Sequence, residues 1–173
     1  MVLTTERLIL RPFTAEDAQD LYEFSSLPQV AVAAGWPAHK SVEDSRQIIA
    51  TVFAAPDTYA MVERTSGKVI GSAGFTGIAR GGFGPSDEIG YALHPDWWGQ
   101  GLMTEAVAAL LERGFCQRGL EAIWASHYAE NVASRRVIEK SGFSPVCRET
   151  VWDETGEHET CFYVLLRQQW RGV

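Results

Sequence analysis

The feature that most constrains this fold is a strand running into a glycine-bearing turn and then into the longest helix pattern of the chain. Glu88 to Leu93 reads as the strand, and Gly99 and Gly101 close the turn. From about Leu102 to Arg118, Met103, Ala106, Val107, Leu110, Leu111 and Phe115 form an apolar stripe at helical spacing. Gly119 suits the residue that ends such a helix, and Ile123 to Ser126 follows as another strand. The free N–H groups of a tight turn and of a helix N-terminus make a site for an anion. Glycines let the backbone come close to that anion and adopt positive φ. Alone, a Gly-x-Gly before a helix is a weak signal that also fits a merely flexible turn. Two common phosphate loops are excluded. There is no Gly-Lys-Ser/Thr ending for a nucleoside triphosphate, and no third glycine with a later acidic residue for a dinucleotide.

The rest of the chain supplies a sheet around this unit. Leu8-Ile9-Leu10 reads as a strand stopped by Pro12, and Thr14 with Asp17 resembles a capping box for a helix running to about Ser25. Leu27 to Lys40 reads as irregular, and Ser41 caps a helix with Val42, Ile48, Ile49, Val52 and Phe53 on its apolar face. Tyr59–Glu63 and Val69–Phe75 read as a hairpin across Thr65 to Lys68, and the Gly-rich stretch Arg80 to Ser86 as a loop. Ala133 to Ser141 is a short helix stopped by Gly142, and Phe143–Val151 with His158–Leu166 closes the chain as a second hairpin. The tally is an α/β or α+β layer protein, with a mixed sheet of six or seven strands and three or four helices in one domain, residues 1–173.

Composition narrows the class. A length of 173 residues suits one domain with a sizeable core. No apolar run approaches the roughly 20 residues of a membrane helix, so no membrane partner is expected. The opening residues lack the cationic-then-apolar order of a secretory signal. The three cysteines (Cys116, Cys147, Cys161) are scattered and hold no CxxC pair. That indicates neither a disulfide framework nor a metal site, and it fits a cytoplasmic location. A net charge of −7 argues against nucleic-acid binding and suits cationic partners such as amines.

A second fragment gives the turn its meaning. Asn131, Ser134, Glu139, Lys140, Gly142 and Phe143 follow a strand and open a short helix in an Asn-x-x-Ser…Glu-Lys-x-Gly-Phe order. Together with the Glu88–Ala106 segment and the opening Thr5-Glu6-Arg7-Leu8-Ile9-Leu10-Arg11-Pro12, it resembles the GNAT superfamily of acetyl-CoA-dependent N-acyltransferases. The likeness is to the branch that acetylates ribosomal-protein N-termini (the Rim type), and it spans nearly the whole chain. It implies a mostly antiparallel sheet, splayed between the strand of Glu88–Leu93 and that of Ile123–Ser126. It also implies acetyl-CoA as cosubstrate, with no metal. The pantetheine arm would lie along Tyr91, Ala92 and Leu93, the pyrophosphate on Gly99, Gln100, Gly101, Leu102, Met103 and Thr104, and Asn131 and Ser134 would line the thioester gap. Many relatives dimerise, which leaves a homodimer open. Three positions depart from the broad pattern. Trp98 replaces Gln or Arg, and Met103 replaces a small loop residue, tolerable if it points into the core. Ile138 stands where many members carry a tyrosine that protonates the thiolate. That role then passes to Ser134, to Tyr128 or to water.

The chemistry can be reasoned separately. An amine attacks a thioester only when neutral, and an α-amine with pKa of roughly 7.7–8.0 reaches that state far more easily than lysine at about 10.4. A carboxylate, directly or through one water, can take the proton. The backbone N–H near Leu93 is the candidate donor to the oxyanion. A leaving thiolate resembling cysteine, with pKa about 8.5, needs no strong acid. Glu88 is the candidate base, set against a plain strand-end carboxylate. Ser134 is the candidate acid or thiol partner, set against an ordinary first-turn serine. Asn131 also fits a simple N-cap. Glu105 reads as structural, His94 as turn chemistry, His127 as a strand-end polar residue, and Trp36, Trp97, Trp98 and Trp152 as core packing. The acceptor is a protein N-terminus, with a small amine (amino acid, polyamine or aminoglycoside) as the alternative and a non-catalytic acyl-CoA-binding module as the remaining one. Leu27–Lys40, Arg80–Asp87 and the final hairpin would build its pocket.

Overall fold

The computed structural model describes residues 1–172. Eight strands form one sheet: β1 (Leu3–Thr4), β2 (Leu8–Arg11), β3 (Thr58–Glu63), β4 (Val69–Phe75), β5 (Ser86–Leu93), β6 (Ala122–Tyr128), β7 (Ser144–Asp153) and β8 (Gly156–Leu166). Their spatial order is β1-β2-β3-β4-β5-β6-β8-β7. Every neighbouring pair is antiparallel except β5 and β6, which run parallel. That exception follows from the connection, because a helix must carry the chain back before a parallel partner can start. The ladder between β5 and β6 is short. It runs from Ser86↔Ala122 to Ile89↔Ala125 and stops, so Gly90 to Leu93 part from β6 and the sheet splays as expected.

The eighth strand was outside the expected six or seven. β1 has only two residues, too few to show an alternation, and it is held by pairing Leu3↔Leu10 and Thr4↔Ile9. Five α-helices replace the expected three or four: α1 (Ala18–Ser25), α2 (Pro28–Ala34), α3 (Val42–Ala50), α4 (Leu102–Glu112) and α5 (Val132–Lys140). The correction is α2, inside the stretch read as irregular. Pro28 sits at its start, where no N–H is needed, and Gly35 ends it at φ 76°. Gln29 is its one polar residue, too little for a polar face, so no period marks it in the sequence.

Caps fix the other helices. Asp17 accepts the Thr14 N–H at 2.7 Å and forms a two-pronged ion pair with Arg11, which starts the 3-10 turn leading into α1. Ser41 accepts from the Asp44 N–H at 3.1 Å at the head of α3. The expected helix end near Arg118 holds, but its last turn (Arg113–Gln117) is π-helical. Gly114 there packs so tightly that a Cβ would lie 2.6 Å from Ile123 Cδ1.

Two layers cover the sheet. On one face α4 and α5 bury Met103, Val107, Leu110, Phe115 and Ile138 against Leu10, Met61, Ile89, Ile123 and Tyr163. Each such side chain contributes roughly 1.5–3 kcal/mol relative to exposure. On the other face α1, α2 and α3 bury Leu21, Phe24, Val30 and Ile49 against Ala60, Val62, Val69 and Ala92. Trp152 corrects the core-packing expectation: it is 72% exposed on the edge strand β7. Trp98, also read as core, is exposed as well.

Candidate active site

The splay is the mouth of a cleft of about 950 Å3 that passes between β5 and β6. Alternation along β5 sends Glu88 to the face carrying Ala92 and the α1–α3 layer, and Tyr91 to the face carrying Ile89, Leu93 and α4. A carboxylate thus stands on one side of the gap and a phenol on the other.

Glu88 is buried at the last rungs of the β5–β6 ladder. Its Oε1 accepts from Ser126 Oγ at 2.6 Å and its Oε2 from Arg80 Nε at 2.8 Å. The Arg80 guanidinium also lies 3.9 Å above the Phe162 ring, so the 77–85 loop reaches across the sheet and clasps the carboxylate. Neither partner was foreseen. Arg80 lay in a stretch read as a plain hairpin loop, and Ser126 meets Glu88 only through strand register.

The opposite side collects the remaining expected residues. Tyr91 Oη lies 2.9 Å from Ser134 Oγ, and burial pushes its phenol up to about 12 despite that bond. Asn131 caps α5, its Oδ1 accepting from the Ser134 N–H at 3.0 Å. Gly99 and Gly101 have φ of 73° and 77°, a conformation that glycine adopts freely. No side chain caps α4, which leaves its first amides turned to the cleft. Ala92, Leu93, Gly99, Gly101, Leu102, Met103, Thr104, Asn131 and Ser134 all line it, and Met103 is buried against the core. Gln100 alone of the expected loop residues stays off the wall, its side-chain amide donating to the Asp96 carbonyl. Trp98 Nε1 donates to the Leu93 carbonyl at 2.7 Å.

Glu105 is turned away from the loop, as the structural reading required. It accepts from Thr5 Oγ1 (2.6 Å) and from the Arg7 N–H (2.8 Å) and Nε (2.7 Å), while Arg7 Nη1 donates to the Gln100 carbonyl (2.9 Å). Burial alone would raise the Glu105 carboxyl, but these donors hold it below the usual range. Tyr128, the other candidate acid, donates its proton to Asp153 and stacks on His158 at 4.0 Å. Burial first, and then Asp153, pushes it up to about 12. His127 is buried with Nδ1 on the Tyr128 carbonyl at 2.7 Å, and His94 accepts the Asp96 N–H, as turn chemistry requires. Arg136 and Lys140, four apart on α5, also line the cleft. That cationic spacing is visible in the sequence.

The sequence profile described as Acetyltransferase (GNAT) domain matches residues 7–144. The chain belongs to the GNAT acetyltransferase family. An N-acetyltransferase of Bacillus subtilis, YoaA, itself uncharacterised, is 28% identical over 96% of this chain and 97% of its own. The [ribosomal protein uS5]-alanine N-acetyltransferase of Escherichia coli is 24% identical over 98% of this chain and 86% of its own. A GNAT-family acetyltransferase crystal structure from Bacillus anthracis shares the fold, with a TM-score of 0.84 and 24% identity over 97% of this chain and 99% of that one. GNAT acetyltransferases use acetyl-CoA as cosubstrate. The residues here fit it: a Cβ at Gly99 would meet nothing within 4 Å, so the loop backbone stands open to an anion, with the uncapped α4 amides beside it. Among the described residues, no helix is long and apolar enough to cross a membrane.

Proposed function

We propose that this GNAT acetyltransferase acetylates the α-amino group of a protein N-terminus by direct attack in a ternary complex. The observation carrying this reading is the two-sided cleft, with Glu88 on one side of the gap and Tyr91, Ser134 and the glycine loop on the other. Acetyl-CoA supplies a thioester whose carbon accepts the amine and whose sulfur leaves as thiolate. The α4 amides, Gly99, Gly101 and the Arg136–Lys140 pair hold its phosphates, and the Tyr91–Leu93 backbone, which has no β6 residue paired with it, holds the arm.

Glu88 receives the amine proton, directly or through one water. Its bond from Ser126 aims one oxygen, and the Arg80 guanidinium pairs with the other. Ser134 donates to the leaving sulfur, since Tyr128 is committed to Asp153. The N-terminal acceptor is supported by the likeness to the uS5-alanine enzyme and by the acidic net charge of −7. An α-amine is also the acceptor that a carboxylate base deprotonates most easily near neutral pH.

The test pairs acetyl-CoA binding by calorimetry with thiol release from peptides bearing free or blocked N-termini and from a panel of small amines. Free N-terminal peptides are expected to turn over and blocked ones not. Glu88→Gln is expected to lower kcat by about 10²–10⁴-fold with acetyl-CoA affinity unchanged. Turnover only with small amines would overturn the acceptor. An undiminished variant would remove Glu88 as the base.

A further inference from the structure

The ladder between β5 and β6 ends at Ile89↔Ala125, and Tyr91 is the next residue of β5 on the same face. Where the strands have parted, its side chain reaches the first turn of α5. Its hydroxyl lies 2.9 Å from Ser134 Oγ and 3.4 Å from the Ser134 carbonyl oxygen. Ser134 is otherwise fixed only through its backbone, by the Asn131 cap. Tyr91 is thus the one described side chain that hydrogen-bonds to the Ser134 hydroxyl, and both residues line the cleft. The sequence marked Tyr91 only for its backbone.

We propose that Tyr91 is a positioning residue for acyl transfer: its hydroxyl donates to Ser134 Oγ and thereby turns the proton of Ser134 toward the leaving sulfur. This rests on the reading of Ser134 given above. A hydroxyl has one proton to give. If Ser134 donated to Tyr91, none would remain for the sulfur. With Tyr91 as donor, the Ser134 proton is free, and the chained bonds strengthen one another in a low-dielectric gap. In the step itself the amine nitrogen bonds to the carbonyl carbon and the C–S bond breaks with its electron pair on sulfur. The amine proton goes to Glu88 or its water. The thiolate leaves hydrogen-bonded to Ser134, and Tyr91 keeps its own proton throughout. A phenol pushed far above neutrality by burial suits a group that must stay a donor and never an acid.

The experiment is a cycle of Tyr91→Phe, Ser134→Ala and the double variant, read as kcat at saturating substrates and as acetyl-CoA affinity by calorimetry. A hydrogen bond to a charged group is worth about ten- to a hundredfold in rate, so Ser134→Ala is expected to lose about that much kcat. Tyr91→Phe is expected to lose kcat about tenfold with acetyl-CoA affinity within about twofold, and the double variant to be no slower than Ser134→Ala. 3-Fluorotyrosine at position 91, nearly isosteric and a stronger donor, is expected to raise kcat, and it serves if the Phe variant does not fold. Three results overturn the proposal: full kcat in Tyr91→Phe beside a slow Ser134→Ala, a double variant as slow as the product of the singles, or a fall in kcat with fluorotyrosine at neutral pH. Full kcat in Ser134→Ala instead defeats the reading beneath it.

Discussion

Glu63 shows what one side chain does in this molecule. At the end of β3 its carboxylate accepts from the N–H groups of Thr65 (2.8 Å) and Ser66 (2.7 Å) and from Ser66 Oγ (2.7 Å). The Thr65 amide first, then the Ser66 hydroxyl and amide, bring its carboxyl down to about 2. Its unfolded value is about 4.3, so the folded state binds the proton more weakly. The stabilisation is therefore fully present above about pH 4.5 and is lost as pH falls toward 2. Urea midpoints for wild type and Glu63→Gln, taken from pH 6 to pH 2, are expected to converge at the acid end; parallel curves would refute this. The same locality made part of the site legible in sequence. Gly99, Gly101 to Thr104 and Asn131 reach the cleft through their own turns and helix starts, so adjacent residues announce them. Glu88 was legible as a residue, but not its partners. Ser126 lies 38 positions away and is brought in by the β5–β6 register, and Arg80 arrives on a loop without periodicity.

Among elements, the pairing of β4 with β5 is unusually tight. Gly71 stands opposite Leu93, and a Cβ built on it would lie 2.4 Å from the Ala92 carbonyl oxygen and 3.1 Å from Leu93 Cα. Both obstacles are backbone, so no side-chain rotation relieves them. Gly71→Ala is expected to destabilise by about 1–3 kcal/mol, visible as a lowered thermal midpoint, and to weaken acetyl-CoA binding by displacing the end of β5. An unchanged midpoint would show that the strands have slack there. Elements with a clear period or a strong cap were readable from sequence: seven of the eight strands and four of the five helices. β1 and α2 escaped for opposite reasons. One is too short to have a pattern, and the other, with Gln29 as its one polar residue, shows no period between two breakers. The π-helical turn carries no local signal, and the close packing of Gly114 there involves Ile123 and Phe75 from other elements.

At the scale of the whole molecule, β1–β5 and β6–β8 meet along four register pairs only, with α4 passing between them. A cosubstrate seated in the opening touches both arms and so ties them. At a hundred times its Kd it is expected to add about 2.7 kcal/mol to stability. For a chain of this size that is about 5–11 °C in Tm, measurable by thermal shift with acetyl-CoA against a buffer control. A shift no larger than about a degree would mean that acetyl-CoA does not bind the folded chain selectively. The bond from Arg7 to Glu105 has a consequence in time. The two residues are 98 positions apart, and at about 5–20 residues per second a ribosome delivers the second roughly 5–20 s after the first. Through that interval the Arg7 segment waits for the helix that will fasten it, and the Gly99–Gly101 turn is made long after the arginine that will hold it.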